Sequence, residues 1–418
     1  MISQSIRGRV FAATAIFAVA AASVFAAPSV FPNGLTISKP GVQPGYVVFA
    51  SPDGFAYAID VKGQVAAKWA APEANSVMGY TRPLANGNLL ARTGPLRLPT
   101  AAAEAAAAGG YGENTAVPSV VEFNQEGKLV WKYTDNERGL HHDEERMANG
   151  NTVLVCSKTL KRPEISKRAL QDDCLIEVDP KGKVVWEWQT ADHFNELNLD
   201  DTAKAEIMNA YGTAAKTVPD SAFDWAHMNA ASPIPENTGN TDPRFKAGNI
   251  VVSYRHLSTV AVVDKESKKI VWTAIGTTLG QHHTHMIAGG LPGAGHIMVF
   301  DNGNNDVGRN PRHLQSRPNS RVVEINPIDN KIVWEYNAEK SDRPMWTFVS
   351  HYISAAERQP NGNTLITEGS NGRIFEVTPA GEIVWEFVNP YSKLNGKITD
   401  NTVFRAAKVP ESWLHAKK

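Results

Sequence analysis

The sequence predicts an all-β protein, a six-bladed β-propeller, from a repeated phrase, the strand periodicity inside it and the number of copies. The phrase runs from an Asn-Gly-Asn turn into an apolar strand, then a second strand, a Gly turn and an apolar pair closed by Trp. The clearest copies are Asn149-Gly150-Asn151 through Trp186 and Asn361-Gly362-Asn363 through Trp385. Fainter copies close at Trp69, Trp131, Trp272 and Trp334. Recurrence of a small antiparallel unit marks a toroid or solenoid. Six copies fall inside the usual range of about 4–8 propeller blades.

The repeats are Tyr46–Trp69, Tyr80–Trp131, His141–Trp186, Trp225–Trp272, Gln281–Trp334 and His351–Trp385. Each alternates apolar and polar residues in short runs bounded by Gly, Asn, Asp and Pro, the pattern of half-buried strands. The Asn-Gly, Pro-Lys-Gly and Pro-Ala-Gly pieces are tight turns that need positive φ. The closing Trp residues are expected to pack between blades rather than to touch ligand. Spacing between them is irregular, which places insertions at about 99–115, 158–173, 190–224 and 301–319. The third of these contains the helical-looking DDTAKAEIMNAYGTAAK. The tail after Val388 is expected to close the ring or dock on it. Residues 27–418 read as a single propeller domain.

The 418 residues carry 42 Lys and Arg against 43 Asp and Glu, for a formal net charge of -1. That balance gives no nucleic-acid or membrane-surface signature. Arg7 and Arg9 precede the apolar run Val10–Phe25, and Val24-Phe25-Ala26 suits a cleavage before Ala27. Residues 1–26 therefore read as a secretory signal peptide rather than a span, and the mature chain is expected to be periplasmic or secreted. No other run has transmembrane length. In that oxidising setting the two cysteines, Cys156 and Cys174, are expected to form a disulfide within one repeat; buried free thiols are the alternative.

Histidine carries the functional signal. His142, His227, His282 and His351 each fall just before or at the first strand of successive repeats. In a toroid that phase gathers them at one channel mouth. Asn229 lies two residues beyond His227, on the same side of an extended segment, and Arg255 follows in the next strand. Arg and Asn suit a tetrahedral oxyanion such as sulfate or phosphate. Several neutral His residues suit a transition metal instead. An adjacent Arg disfavours a metal, so the anion reading is preferred and no metal or cofactor is assigned. The phosphate loop, the nucleophile elbow and the His-Glu-x-x-His helix are absent from the sequence. On a regular strand His283 would point away from His282 and His285.

These residues resemble the bacterial arylsulfate sulfotransferase family, which does not use the activated nucleotide donor. The likeness covers most of the mature chain. It is carried by Asp224-Trp225-Ala226-His227-Met228-Asn229, Ser253-Tyr254-Arg255-His256, Gly280-Gln281-His282, Phe300-Asp301-Asn302-Gly303 and Ser320-Arg321-Val322-Val323-Glu324. The resemblance implies a periplasmic six-bladed propeller that moves a sulfuryl group from an aryl sulfate ester to a phenolic acceptor through a sulfated histidine. It implies His282 as nucleophile and His227, Asn229 and Arg255 on the sulfuryl oxygens. It implies His142 on the leaving or attacking phenol oxygen.

The chain departs from the family in lacking room for a separate N-terminal β domain, since Pro28–Gly45 is too short. Lys340 and Arg343 stand in for a family lysine by position only. His351 and Arg373 belong to no family motif. With Tyr254 as a stacking aromatic, His351, Lys340 and Arg373 complete the expected substrate contacts. Two other readings stand beside the transferase: a metal-dependent, lyase-like propeller using the channel histidines, and a non-catalytic binding propeller.

Overall fold

The computed structural model describes residues 32–73, 76–95, 119–210, 222–303, 311–394, 397–398 and 400–415. The signal peptide and the 99–115 insertion lie outside the described residues. The described residues belong almost entirely to one compact unit, Asn33–Lys418.

Six antiparallel sheets form the blades of a β-propeller. Blade 2 runs Ser76–Pro83, Leu89–Pro95, Ser119–Phe123 and Leu129–Thr134. Blade 3 runs Gly139–Arg146, Thr152–Leu160, Leu170–Val178 and Val184–Gln189. Blade 4 runs Met228–Pro233, Ile250–Tyr254, Thr259–Val263 and Ile270–Ile275. Blade 5 runs His282–Met286, Ile297–Asp301, Arg321–Asn326 and Lys331–Tyr336. Blade 6 runs Ala355–Arg358, Thr364–Glu368, Arg373–Val377 and Ile383–Val388.

Blade 1 closes the ring. Its Tyr46–Ala50, Phe55–Ile59 and Val65–Ala70 take their inner strand from the tail, with Tyr46 opposite Val409 and Phe49 opposite Ala406. At the other seam Gly34–Ser38 adds a fifth strand to blade 6 on Ile383–Val388. Both ends of the chain are thus hydrogen-bonded into the ring, at blade 1 and at blade 6.

The closing Trp residues bind blade to blade. The indole N–H of Trp69 donates to Gln125 O, Trp186 to Lys265 O, Trp272 to Asn330 Oδ1, Trp334 to Pro379 O and Trp385 to Val61 O. Each acceptor sits in the outer turn of the next blade. Trp131 differs: the Arg146 guanidinium covers its ring at 4.8 Å. Apolar clusters also straddle neighbours, as where Val48 and Ala56 of blade 1 pack with Leu89 and Val121 of blade 2. Each fully buried Val or Leu contributes roughly 1.5–3 kcal/mol, so the ring is held mainly by these seams.

The strand directions sort the connections onto two ends. Connections between first and second strands, and between third and fourth, share one end and are tight turns except at 234–249 and 287–296. All other connections share the opposite end, where the first strands begin. The longer segments lie there, including the 3-10 helix Thr190–Leu197 and the α-helix Asp201–Met208. Asp200 caps that α-helix by accepting from Ala203 N–H. The ladder between Thr152–Leu160 and Leu170–Val178 extends well into the expected 158–173 insertion, leaving a loop at 161–169. Cys156 and Cys174 face each other across it and form a disulfide.

Candidate active site

The histidines reach the channel mouth through a repeated backbone irregularity. The first strands of blades 3, 4 and 5 each contain a register shift near their start. Here His142, His227 and His283 adopt φ of 56°, 55° and 46°, the left-handed region that non-glycine residues rarely enter. A bulge re-aims the side chains around it. The bend also revises the expectation for His283, whose ring stacks on that of His285 at 4.6 Å.

The rings form a chain. His141 and His142 centroids are 5.0 Å apart, His142 and His227 4.8 Å, and His227 and His256 4.5 Å. Asp173 Oδ1 lies 3.3 Å from His141 Nε2, and the Nδ1 atoms of His141 and His142 are 2.8 Å apart. Asp224 Oδ2 lies 2.6 Å from His227 Nδ1. Arg255 Nη1 donates to His256 Nε2 at 3.3 Å.

His282 is held from both sides. Asn302 Nδ2 donates to Ser350 O and Ile353 O, which turns Asn302 Oδ1 toward His282. His282 Nδ1–H therefore donates to Asn302 Oδ1 at 2.7 Å, and the lone pair is on Nε2. That nitrogen accepts from Ile353 N–H at 3.1 Å. Ile353 and Ser354 have φ of 49° and 92°, unfavourable for a β-branched residue.

The environment keeps His142 and His282 neutral. Burial, then the charge of Arg255, holds His282 well below the usual histidine range. Burial, then His227 and His141, does the same for His142. Burial pushes Asp173 well above the usual carboxylate range, reinforced by the charge of Asp224. Asp224 is held low: burial opposes this, but His227 and His256 outweigh it.

Of the expected catalytic residues, His142, His227, Asn229, Arg255 and His282 are all buried in this region. Asn229 donates its amide to Gln281 O at 2.8 Å, directly before His282. Of the expected substrate contacts, Lys340, Arg373 and Tyr254 are engaged elsewhere. His351 is exposed, because the positive-φ pair after it carries the chain inward only from Ile353. Lys340 is exposed on the 3-10 helix Ala338–Ser341, which packs against the blade 6 turn at Gly381. Arg373 pairs with Glu368 and Glu386 and covers the Phe375 ring. Tyr254 is fully buried in the core with Trp188 and Trp225. Trp346 is exposed on the connection leading to Ile353.

Sequence reading missed several members. Arg405, just before the closing strand, donates to both oxygens of Asp143 and to the Tyr80 hydroxyl. Arg92 is buried 3.7 Å from Glu144, whose carboxyl burial raises to about 7. His141, Asp173, His256 and Asn302 were also missed. The doubled His141-His142 and the Asn302 phrase were the available signals.

The closest approach to a metal-binding set among the described residues is Asp224, His227 and His256, with donor atoms within 4.8 Å. These donors are already engaged: His227 with Asp224, and His256 with Asp224 O through Nδ1 and Arg255 through Nε2. The guanidinium would also repel a cation, so this set does not fit a metal centre.

A cleft of about 400 Å³ opens in front of His141, His142 and His227. Its wall is the blade 3 hairpin, through Ser157, Thr159, Gln171 and Asp173.

Among solved structures, the chain is similar to a protein of unknown function from Bacteroides caccae, at 11% identity and a TM-score of 0.51. The match covers 87% of this chain and 98% of that one, and shows the fold alone. A catalytically inactive virginiamycin B lyase from Staphylococcus aureus with quinupristin is 9% identical, with a TM-score of 0.41 over 88% of this chain and 92% of that one. At that distance it carries no argument. No curated protein sequence matches the chain. The arylsulfotransferase family, however, matches residues 109–390, which span the histidine chain, Arg255, His282 and Asn302. The chain belongs to the arylsulfotransferase family.

Proposed function

We propose that this protein is a periplasmic or secreted transferase that moves a sulfuryl group from an aryl sulfate ester to an acceptor hydroxyl through a sulfated His282. The observation that carries the reading is the neutral His282, its tautomer set by Asn302, within the field of the buried Arg255. A neutral imidazole is a competent nucleophile near pH 7. Its Nε2 lone pair attacks sulfur, the S–O bond to the aryl group breaks, and phenolate leaves. Arg255 and Asn229 stabilise charge on the sulfuryl oxygens. Nε2 must first release Ile353 N–H, which is then placed to donate to a sulfuryl oxygen. In the second half, the acceptor oxygen attacks sulfur and the N–S bond breaks.

The proton follows the chain Asp173–His141–His142. In one form Asp173 is ionised, His141 carries its proton on Nε2, and His142 carries its proton on Nδ1. His142 Nε2 is then a base. In the other form one more proton is present: Asp173 is neutral, His141 is protonated on Nδ1, and His142 Nε2–H is an acid. The acid form protonates the leaving phenolate, and the resulting base form takes the acceptor's proton. Protons balance over the cycle, and neither imidazole needs to become cationic. The raised affinity of Asp173 for a proton suits this role.

The test is a rapid-mixing assay with p-nitrophenyl sulfate and no acceptor. A burst of about one nitrophenol per enzyme, unaffected by a chelator, is the signature of a covalent intermediate. Hydrolysis without a burst, or complete loss with chelator, contradicts the reading.

A further inference from the structure

We propose that the cleft in front of His142 is an acceptor subsite for a neutral carbohydrate-type polyol rather than a simple phenol. The assignment rests on the transferase reading and names the acceptor within it. The cleft is a built feature of one blade. In blade 3 the central strands are nine residues each, against five residues in the central pair of blades 4 and 6. The extra rungs Ser157–Asp173, Lys158–Asp172, Thr159–Gln171 and Leu160–Leu170 begin immediately beyond the Cys156–Cys174 disulfide. Side chains alternate across a strand, so Ser157, Thr159, Gln171 and Asp173 share one face. That face lines the cleft.

The lining chemistry selects the ligand. Apart from Gly139, every described residue lining the cleft has a polar or charged side chain. Sites for aryl compounds are lined mostly by apolar and aromatic groups. A phenol here would lay both ring faces against hydrogen-bonding groups and leave them unmet, at a cost of roughly 1–3 kcal/mol for each buried group. A polyol offers a hydroxyl to each. Ser157, Thr159 and Gln171 make no side-chain hydrogen bond among the described residues, so they are available. The volume of about 400 Å³ is in the small-molecule range of about 300–1,000 Å³.

Charge separates the two substrates. The acidic residues Glu137 and Asp224 line the cleft, and its lysine, Lys158, is paired with Glu187 outside it. The donor's sulfuryl group is disfavoured there and is drawn toward Arg255, with only its leaving oxygen reaching His142 Nε2. The acceptor is therefore neutral, with one hydroxyl at His142 Nε2, which takes its proton as that oxygen attacks the sulfuryl group.

The experiment uses the whole chain with p-nitrophenyl sulfate as donor and methyl glucoside or phenol as acceptor. In parallel, saturation-transfer NMR measures binding of each acceptor without donor. Methyl glucoside is expected to accelerate steady-state nitrophenol release saturably, to appear as its sulfate ester, and to show saturation transfer. Phenol is expected to need at least about tenfold higher concentration. Gln171→Leu and Thr159→Val are each expected to raise the glucoside KM about tenfold or more and to weaken its NMR signal. A burst followed by saturable acceleration by phenol, with no binding of the glucoside, overturns the acceptor assignment and leaves the proposed reaction standing. Glucoside binding that is lost in Gln171→Leu, without any burst, upholds the subsite and overturns the proposed reaction. Absence of glucoside binding in either setting overturns the subsite.

Discussion

The Nδ1 atoms of His141 and His142 lie 2.8 Å apart, so one ring must donate and the other accept. In the proposed relay Asp173, 3.3 Å from the far nitrogen of His141, decides which. An ionised Asp173 fixes the proton on His141 Nε2 and makes His142 the donor within the pair. In that state His142 Nε2 is a base without any direct contact between Asp173 and His142, and a protonated Asp173 reverses the pair.

Breaking this chain should change proton handling more than binding. His141→Phe and Asp173→Asn are expected to lower kcat by about 10²–10³ with poorly activated aryl sulfates, while changing the donor KM little. The loss should shrink as the leaving phenol becomes more acidic, because a better leaving group needs less protonation. A purely structural role would lower rates equally for all leaving groups. Steady-state kinetics across substituted phenyl sulfates distinguishes the two.

The nucleophile's pH dependence follows from its surroundings. Because His282 is held well below the usual histidine range, it stays neutral as pH falls from 8 to near 6. With p-nitrophenyl sulfate, whose leaving group needs little protonation, the burst rate is expected to be flat over that interval. Asn302→Asp places a carboxylate on Nδ1–H and raises the histidine's pKa. The burst should then acquire an acid limb, falling as pH drops through the raised pKa. Stopped-flow burst rates between pH 5 and 8 read both outcomes.

Glu144 supplies a stability prediction. Its folded pKa of about 7 lies above the ordinary 4.5, with burial as the main cause and Arg92 opposing. The folded state therefore favours the protonated carboxyl. That stabilisation is complete below pH 4.5 and is lost as pH rises through about 7. Glu144→Gln mimics the protonated form. It should be nearly neutral at pH 4 and stabilising by up to about 3 kcal/mol at pH 8. Thermal or denaturant unfolding at the two pH values tests the sign.

The disulfide should matter locally. Cys156 and Cys174 close a sequence separation of 18 at the base of the extended hairpin. Replacing both with Ser is expected to cost about 3 kcal/mol by loop-closure entropy. Hydrogen exchange should rise first at Ser157–Leu160 and Leu170–Asp173, beyond the staple. Equal change in the blade 5 strands would contradict this placement.

The architecture was legible because its signals are local and repeated. Six closing Trp residues mark the blades, and five of them donate to the next blade's turn. His142, His227 and His282 were legible from their shared phase. The bulges were not, because His at 142, 227 and 283 gives no hint of positive φ as Gly would. That is why His283 was expected to diverge from His285. The same effect at Ile353, whose N–H reaches His282 Nε2, was equally unmarked in the sequence.

Arg405 was invisible for another reason. It pairs with Asp143 across 262 residues of sequence, through a strand whose only sequence signature is its place in the tail. Tyr254 and Arg373 were misplaced because a residue's type does not reveal its partner. Tyr254 fills the core between blades, and Arg373 answers two carboxylates of its own blade.

The most direct test of the central claim is the intact mass of the protein after brief exposure to an aryl sulfate ester, with His282→Ala alongside. The account predicts the gain of one sulfuryl group on the wild type, mapped to His282, and none on the variant. An adduct that persists in His282→Ala, or phenol release by a folded wild type that never carries an adduct, would contradict it.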